Sequence, residues 1–246
     1  MMDFTLKKYR ELLLALKGHG DVMLRHDVDL KPENSLRTAE IEHELGWEAT
    51  YYFRAVSESW DEAIIKKISA LGHEIGYHYE CLTTCNGDVD AAWEDFKANL
   101  ARLETVVGKP IKSICMHGSP RSPWDSKDLW KKYDYREVGV EFEPYLDTDF
   151  SKTFYLTDTG RRWDGFKVSV RDRIPEYQDS WVAEGLAFHT TDDVILAAKN
   201  GKLPRNLMIT THPQRWNSSF LPWIKEFVLQ NAKNIIKGIM IKRNNG

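Results

Sequence analysis

Apolar runs that turn charged at their C-terminal ends recur along this chain, with helix-patterned segments between them. Residues 22–30 (VMLRHDVDL) read as a strand, and residues 32–45 as a helix with Pro32 in its first turn and Gly46 as its stop. Residues 49–55 (ATYYFRA) suit a second strand, residues 59–71 a helix stopped by Gly72, and residues 74–80 (EIGYHYE) a third strand. A long helix is expected over 88–107, then a fourth strand over 111–116 (IKSICM) running into His117. Short strands follow over 137–142, 153–157 and 166–170, then a helix over 191–199, a strand over 207–211 (LMITT) and a closing helix over 221–236. Such alternation implies a mainly parallel sheet or a barrel, whose ligands sit at the C-terminal ends of the strands.

Residues able to do chemistry cluster at those ends: Asp27 and Asp29, His78 and Glu80, His117, and His212. Side chains two apart in a strand share a face, so Arg25, Asp27 and Asp29 point one way and His26 and Val28 the other. Two carboxylates on one face repel unless a metal, Arg25 or a shared proton lies between them. One Asp alone would more often cap a turn; two after an apolar strand favour a site. His78 and Glu80 also share a face, and an imidazole with a carboxylate suits zinc or a related divalent cation. His117 precedes a Gly-Ser-Pro turn that aims its ring at the mouth, and His212, before Pro213, has the place of a general acid. His73, between a helix and a strand, is read as structural.

The bulk properties set limits. The 246 residues, 42% of them hydrophobic, suit a single domain with one core. A net charge of -3, a pI near 6.3 and no basic run argue against nucleic acid as a partner. Phe4, Tyr9, Leu12, Leu13 and Leu16 have helical spacing, so the N-terminal segment reads as an amphipathic helix and not a targeting signal. No apolar run reaches membrane-spanning length. With three cysteines, Cys81, Cys85 and Cys115, reduced thiols and a cytoplasmic protein without a membrane partner are expected.

Together the motifs resemble the polysaccharide deacetylases, the NodB-homology or carbohydrate esterase family 4 group, over most of the chain. Asp27-Val28-Asp29 is similar to that family's acidic pair, and Gly72-His73-Glu74-Ile75-Gly76-Tyr77-His78 to the segment leading into its metal histidine. His212 is similar to its late proton-donating histidine. The family's acidic pair is adjacent, whereas Val28 separates this one, and its second metal histidine falls at Leu82. The resemblance implies an irregular (β/α) barrel of about seven parallel strands. It also implies a divalent metal, most simply zinc, held by Asp29 and His78, with Asp27 as base and His212 as acid; since Leu82 stands at the second histidine's position, His117 or else Glu80 must complete the metal site. Arg25, Glu80, Trp163, Asp164 and Arg215 are candidates for binding substrate: Trp163 as a floor for a sugar, Arg215 as a bidentate partner for a carboxylate or phosphate.

The activity implied is hydrolysis of a non-peptide amide, with deacetylation of an N-acetylated sugar or sugar precursor as the first choice. A cyclic-amide hydrolase on the same fold is one alternative. A carbohydrate-binding or regulatory protein without catalysis is another, raised by Leu82.

Overall fold

The computed structural model describes residues 2–119, 122–167, 169 and 171–244. Helix α1 (Leu6–Leu16) starts where the Thr5 hydroxyl accepts the Lys8 amide proton at 3.1 Å. Its periodic positions Tyr9, Leu12, Leu13 and Leu16 are all buried, and Phe4 packs with them. Each such side chain contributes roughly 1.5–3 kcal/mol on leaving water.

Among the described residues, six strands and nine α-helices follow one another in close to the order the sequence predicts: β1 (Asp21–Val28), α2 (Pro32–Leu45), β2 (Thr50–Phe53), α3 (Glu62–Ala70), β3 (Glu74–Tyr79), α4 (Cys81–Thr84), α5 (Val89–Val107) and β4 (Ile114–Met116). Then come α6 (Pro144–Asp147), β5 (Phe154–Thr157), α7 (Pro175–Ala183), α8 (Thr191–Lys199), β6 (Asn206–Thr211) and α9 (Phe220–Asn244). Gly46 ends α2 at φ +74, a left-handed conformation that a side chain would strain. Among the described residues no helix is long and apolar enough to cross a membrane.

Every strand pairing is parallel, in the order β4-β3-β2-β1-β6-β5. The expected barrel is present as a curled half-barrel, with six strands among the described residues and no ladder joining edges β4 and β5 there. The expected strand over 137–142 fails for a local reason. Tyr135–Val138 winds into a 3₁₀ turn capped by Asp134, leaving only a single bridge between Ser113 and Phe142. Gly165–Lys167 is likewise 3₁₀, and Val168 and Val170 of that segment lie outside the described residues.

The two faces of β1 differ, as the period of two requires. His26 turns to the back and meets Glu42, a fully buried carboxylate that also accepts hydrogen bonds from Tyr9 and Tyr51. His73 lies beside this cluster and contacts the Ala39 carbonyl at 3.0 Å, the structural place expected of it. The front of β1 carries Arg25 and Asp27. Gly76 is needed on β3 because the Tyr52 ring crosses it: a Cβ there would stand 2.4 Å from Tyr52 Cδ1. Tyr52 in turn underlies the Arg25 guanidinium at 5.4 Å.

Candidate active site

At the C-terminal ends of the strands a cleft of about 480 Å³ opens, with Asp27, Asp29, His78, His117, His212 and Arg215 in its walls. Asp29 stands just past the end of β1, where the chain leaves the ladder. Its Oδ1 is buried without a hydrogen-bond partner. Facing that atom are His78 Nε2 at 3.6 Å and His117 Nε2 at 3.5 Å, both too long for hydrogen bonds.

The tautomers follow from what each ring touches on its other side. His78 Nδ1 lies 3.0 Å from the Cys115 carbonyl and His117 Nδ1 lies 2.9 Å from Glu80 Oε2. Both partners only accept, so each Nδ1 carries the proton and each Nε2 presents a lone pair. Three acceptor atoms therefore converge within 4.8 Å of one another, which is unfavourable unless a cation or extra protons sit among them. Donors about 2.0–2.1 Å from a tetrahedral zinc stand roughly 3.4 Å apart, so the separations at Asp29 suit such an ion. Burial alone would raise the Asp29 pKa; in the absence of a cation, protons taken up by His78 and His117, with the charge of His212, hold it well below the usual carboxylate range. Gln214 Nε2 donates to its Oδ2 at 3.1 Å.

Asp27 is nearly buried, and Arg25 Nη2 donates to both its oxygens at 3.0 Å. At the other oxygen of Asp29 stands His212, with Nε2 4.0 Å from Oδ2. Its Nδ1 donates to Asp158 Oδ1 at 2.7 Å, which leaves Nε2 facing the cleft. Asp158, fully buried, also accepts from Arg215 Nη1 at 2.6 Å and Trp216 Nε1 at 2.8 Å. Burial and Arg215 press the His212 pKa down; the Asp158 charge and hydrogen bond, with Asp29 beyond, more than offset them, so the ring titrates above its ordinary 6.5.

Further round the wall, the Asp172 carboxylate accepts from Tyr145 at 2.8 Å and Thr157 at 2.6 Å, and from Tyr155 and Thr159. Its burial would raise its pKa, but His212 and these hydroxyls bring it down to about 2.

Asp27, Asp29, His78, His117, His212 and Arg215 therefore line one cleft. Four proposed substrate contacts do not. Arg25 is fully buried behind Asp27, stacked 4.9 Å from the Tyr145 ring, so it supports a carboxylate and does not reach the cleft. Glu80 turns away into the Arg54 guanidinium and His117. Trp163 is buried against Phe4 and Trp216, with Nε1 donating to Thr191, because the loop folds inward onto α1 and α8. Asp164 is fully buried, paired with Arg162 at 2.7 Å and hydrogen-bonded to His189 Nδ1 at 2.9 Å. Leu82, at the position expected for a second metal histidine, is buried in the core on α4.

Asp158 and Arg54 were missed, although both end strands and the strand-end rule applied to residues 153–157 and 49–55 would have marked them. Asp172 lies in an irregular segment and Tyr145 in the one-turn helix α6, and neither gives such a signal.

No protein-family model matches the sequence, and no curated protein matches it. Among solved structures, similarity runs to family 4 carbohydrate esterases. A CE4 family pseudoenzyme from Bacillus anthracis superposes with a TM-score of 0.47 at 14% identity, covering 87% of this chain and 62% of its own. This chain thus spans less than two thirds of that protein's length. A family 4 carbohydrate esterase from Streptomyces lividans and a polysaccharide deacetylase from Bacillus cereus each give a TM-score of 0.46 at 14% identity, over 87% of this chain and 88% of theirs.

Proposed function

We propose that this chain is a metal-dependent hydrolase of a non-peptide amide bond that removes an acetyl group from an N-acetylated sugar or sugar precursor. The observation that carries the reading is the orphaned Oδ1 of Asp29 facing two imidazole nitrogens whose protons are held on their far sides. Asp29, His78 and His117 would hold a divalent ion, zinc by the chemistry of the donor set. Such an ion, when bound, supplies polarisation of the amide carbonyl and a water of lowered pKa.

The rest falls to side chains. Asp27, held through both oxygens by Arg25, stands on the His78 side of Asp29, 4.0 Å from His78 Nε2, and takes the proton of the attacking water. His212, kept protonated by Asp158, stands at the other oxygen of Asp29 and gives a proton to the leaving nitrogen. Base and acid flanking the metal donors are what amide hydrolysis needs, since one group must lose a proton and the other gain one. Three free thiols, Cys81, Cys85 and Cys115, support a cytoplasmic setting, with a free, nucleotide-linked or lipid-linked sugar as substrate.

Acetate release from N-acetylated amino sugars, by protein loaded with one equivalent of zinc, tests the proposal. We expect release that Asp27→Asn and His212→Ala abolish. Ring opening of a cyclic amide in place of acetate release would move the protein to the other hydrolase class. Absence of stoichiometric metal and of any turnover would make it a binding or regulatory protein.

A further inference from the structure

The metal donors come from three strand ends, and one side chain ties those ends together. Arg54 follows β2 directly. Its Nε donates to Glu80 Oε1 at 2.8 Å and its Nη2 to Glu80 Oε2 at 3.0 Å, a fork-to-fork pair. Its third nitrogen, Nη1, donates to the main-chain carbonyl of Asp29 at 3.1 Å. Glu80 Oε2 then accepts the Nδ1 proton of His117 at 2.9 Å. The Arg54 amide donates to Ser59 Oγ, and that hydroxyl donates to the Val28 carbonyl, so the main chain of Arg54 is stitched to the end of β1 as well.

We infer that Arg54, acting with Glu80, is the positioning residue of the metal centre, an inference that rests on the metal reading above. Neither group has an atom among the converging donors. Glu80 fixes which nitrogen of His117 carries the proton, and so which one offers a lone pair. Arg54 fixes Glu80, and at the same time fixes the backbone from which Asp29 projects. A carboxylate ligand and an imidazole ligand from different strands are thereby registered to each other by one guanidinium. This arrangement also accounts for a site without a histidine at position 82: His117, arriving from a different strand, has no helical or loop spacing to set its distance from His78, and the Arg54–Glu80 pair sets it. Lysine could not substitute, because a point ammonium cannot span both carboxylate oxygens and the carbonyl.

The test is zinc affinity of the full chain, by competition with a chromophoric chelator, for wild type, Arg54→Met, Arg54→Lys and the near-isosteric Glu80→Gln. Melting of the metal-free proteins and the His117 tautomer by nitrogen-15 NMR are recorded alongside. We expect zinc binding to weaken about 10–100-fold in Arg54→Met and Glu80→Gln, the range typical of lost support behind a metal ligand. We expect the proton of His117 to leave Nδ1 in part in Glu80→Gln. Wild-type affinity in folded Arg54→Met and Glu80→Gln, with zinc bound by the parent, would overturn this inference and leave the metal reading standing. Failure of the parent to bind zinc at all would overturn both. Should Arg54→Met fail to fold, Glu80→Gln with its tautomer readout decides.

Discussion

His212 Nδ1 lies 2.7 Å from Asp158 Oδ1, and the same carboxylate is gripped by Arg215 and Trp216. The imidazole is thus oriented and charged by a residue on a neighbouring strand end. An acid must be protonated to act, so activity should fall as pH rises through the His212 pKa, which lies above 6.5. Asp158→Asn removes the group that raises that pKa. We expect this variant to lose roughly 10²–10⁴-fold in kcat. Its falling limb should move to lower pH, read from a pH profile of kcat. An unmoved limb would separate Asp158 from the acid.

Leu82→His restores a histidine where the resemblance places one, yet it should not improve the site. Leu82 is only 3% exposed, on a short helix that packs into the core. A polar ring there leaves a buried group without a partner. We expect a loss of about 2–4 kcal/mol in chemical denaturation and no gain in zinc affinity.

Asp172 couples the cleft wall to acid stability. Its folded pKa of about 2 lies below the ordinary 3.8, so its contribution is present above about pH 4 and lost as pH falls through 2. The stability difference between wild type and Asp172→Asn should shrink by about 2 kcal/mol over that window. Urea midpoints at pH 5, 4, 3 and 2.5 measure its onset. A pH-independent difference would mean the four hydroxyls do not depend on its charge.

Trp163→Phe separates packing from binding. Trp163 is 3% exposed and bonded to Thr191 away from the cleft. We expect about 1–2 kcal/mol lost in denaturation and an unchanged KM. A raised KM at full stability would return Trp163 to the substrate pocket.

Legibility from sequence followed burial. The strands of the sheet interior are dense apolar runs, and their polar ends mark a parallel sheet's ligand side, so Asp27, Asp29, His78, His117 and His212 were readable. Alternation placed Arg25 on the Asp27 face correctly, yet it could not show that Tyr52 and Tyr145 enclose the guanidinium. Residues 134–143 and 158–167 form turns and 3₁₀ segments, and this part of the chain is held by side-chain hydrogen bonds across the fold, such as Tyr145 to Asp172. No period records those, and the false strand over 137–142 arose there. Trp163 misled because an aromatic beside polar residues reads alike in a sugar pocket and in a core.

The central claim is that Asp29, His78 and His117 share one divalent ion. The most direct measurement is elemental analysis of wild type, Asp29→Asn, His117→Ala and His212→Ala, each loaded with zinc and dialysed. One equivalent retained by wild type and by His212→Ala, and lost from Asp29→Asn and His117→Ala, is the expected result. Zinc absent from wild type, or retained by His117→Ala as by wild type, would contradict it.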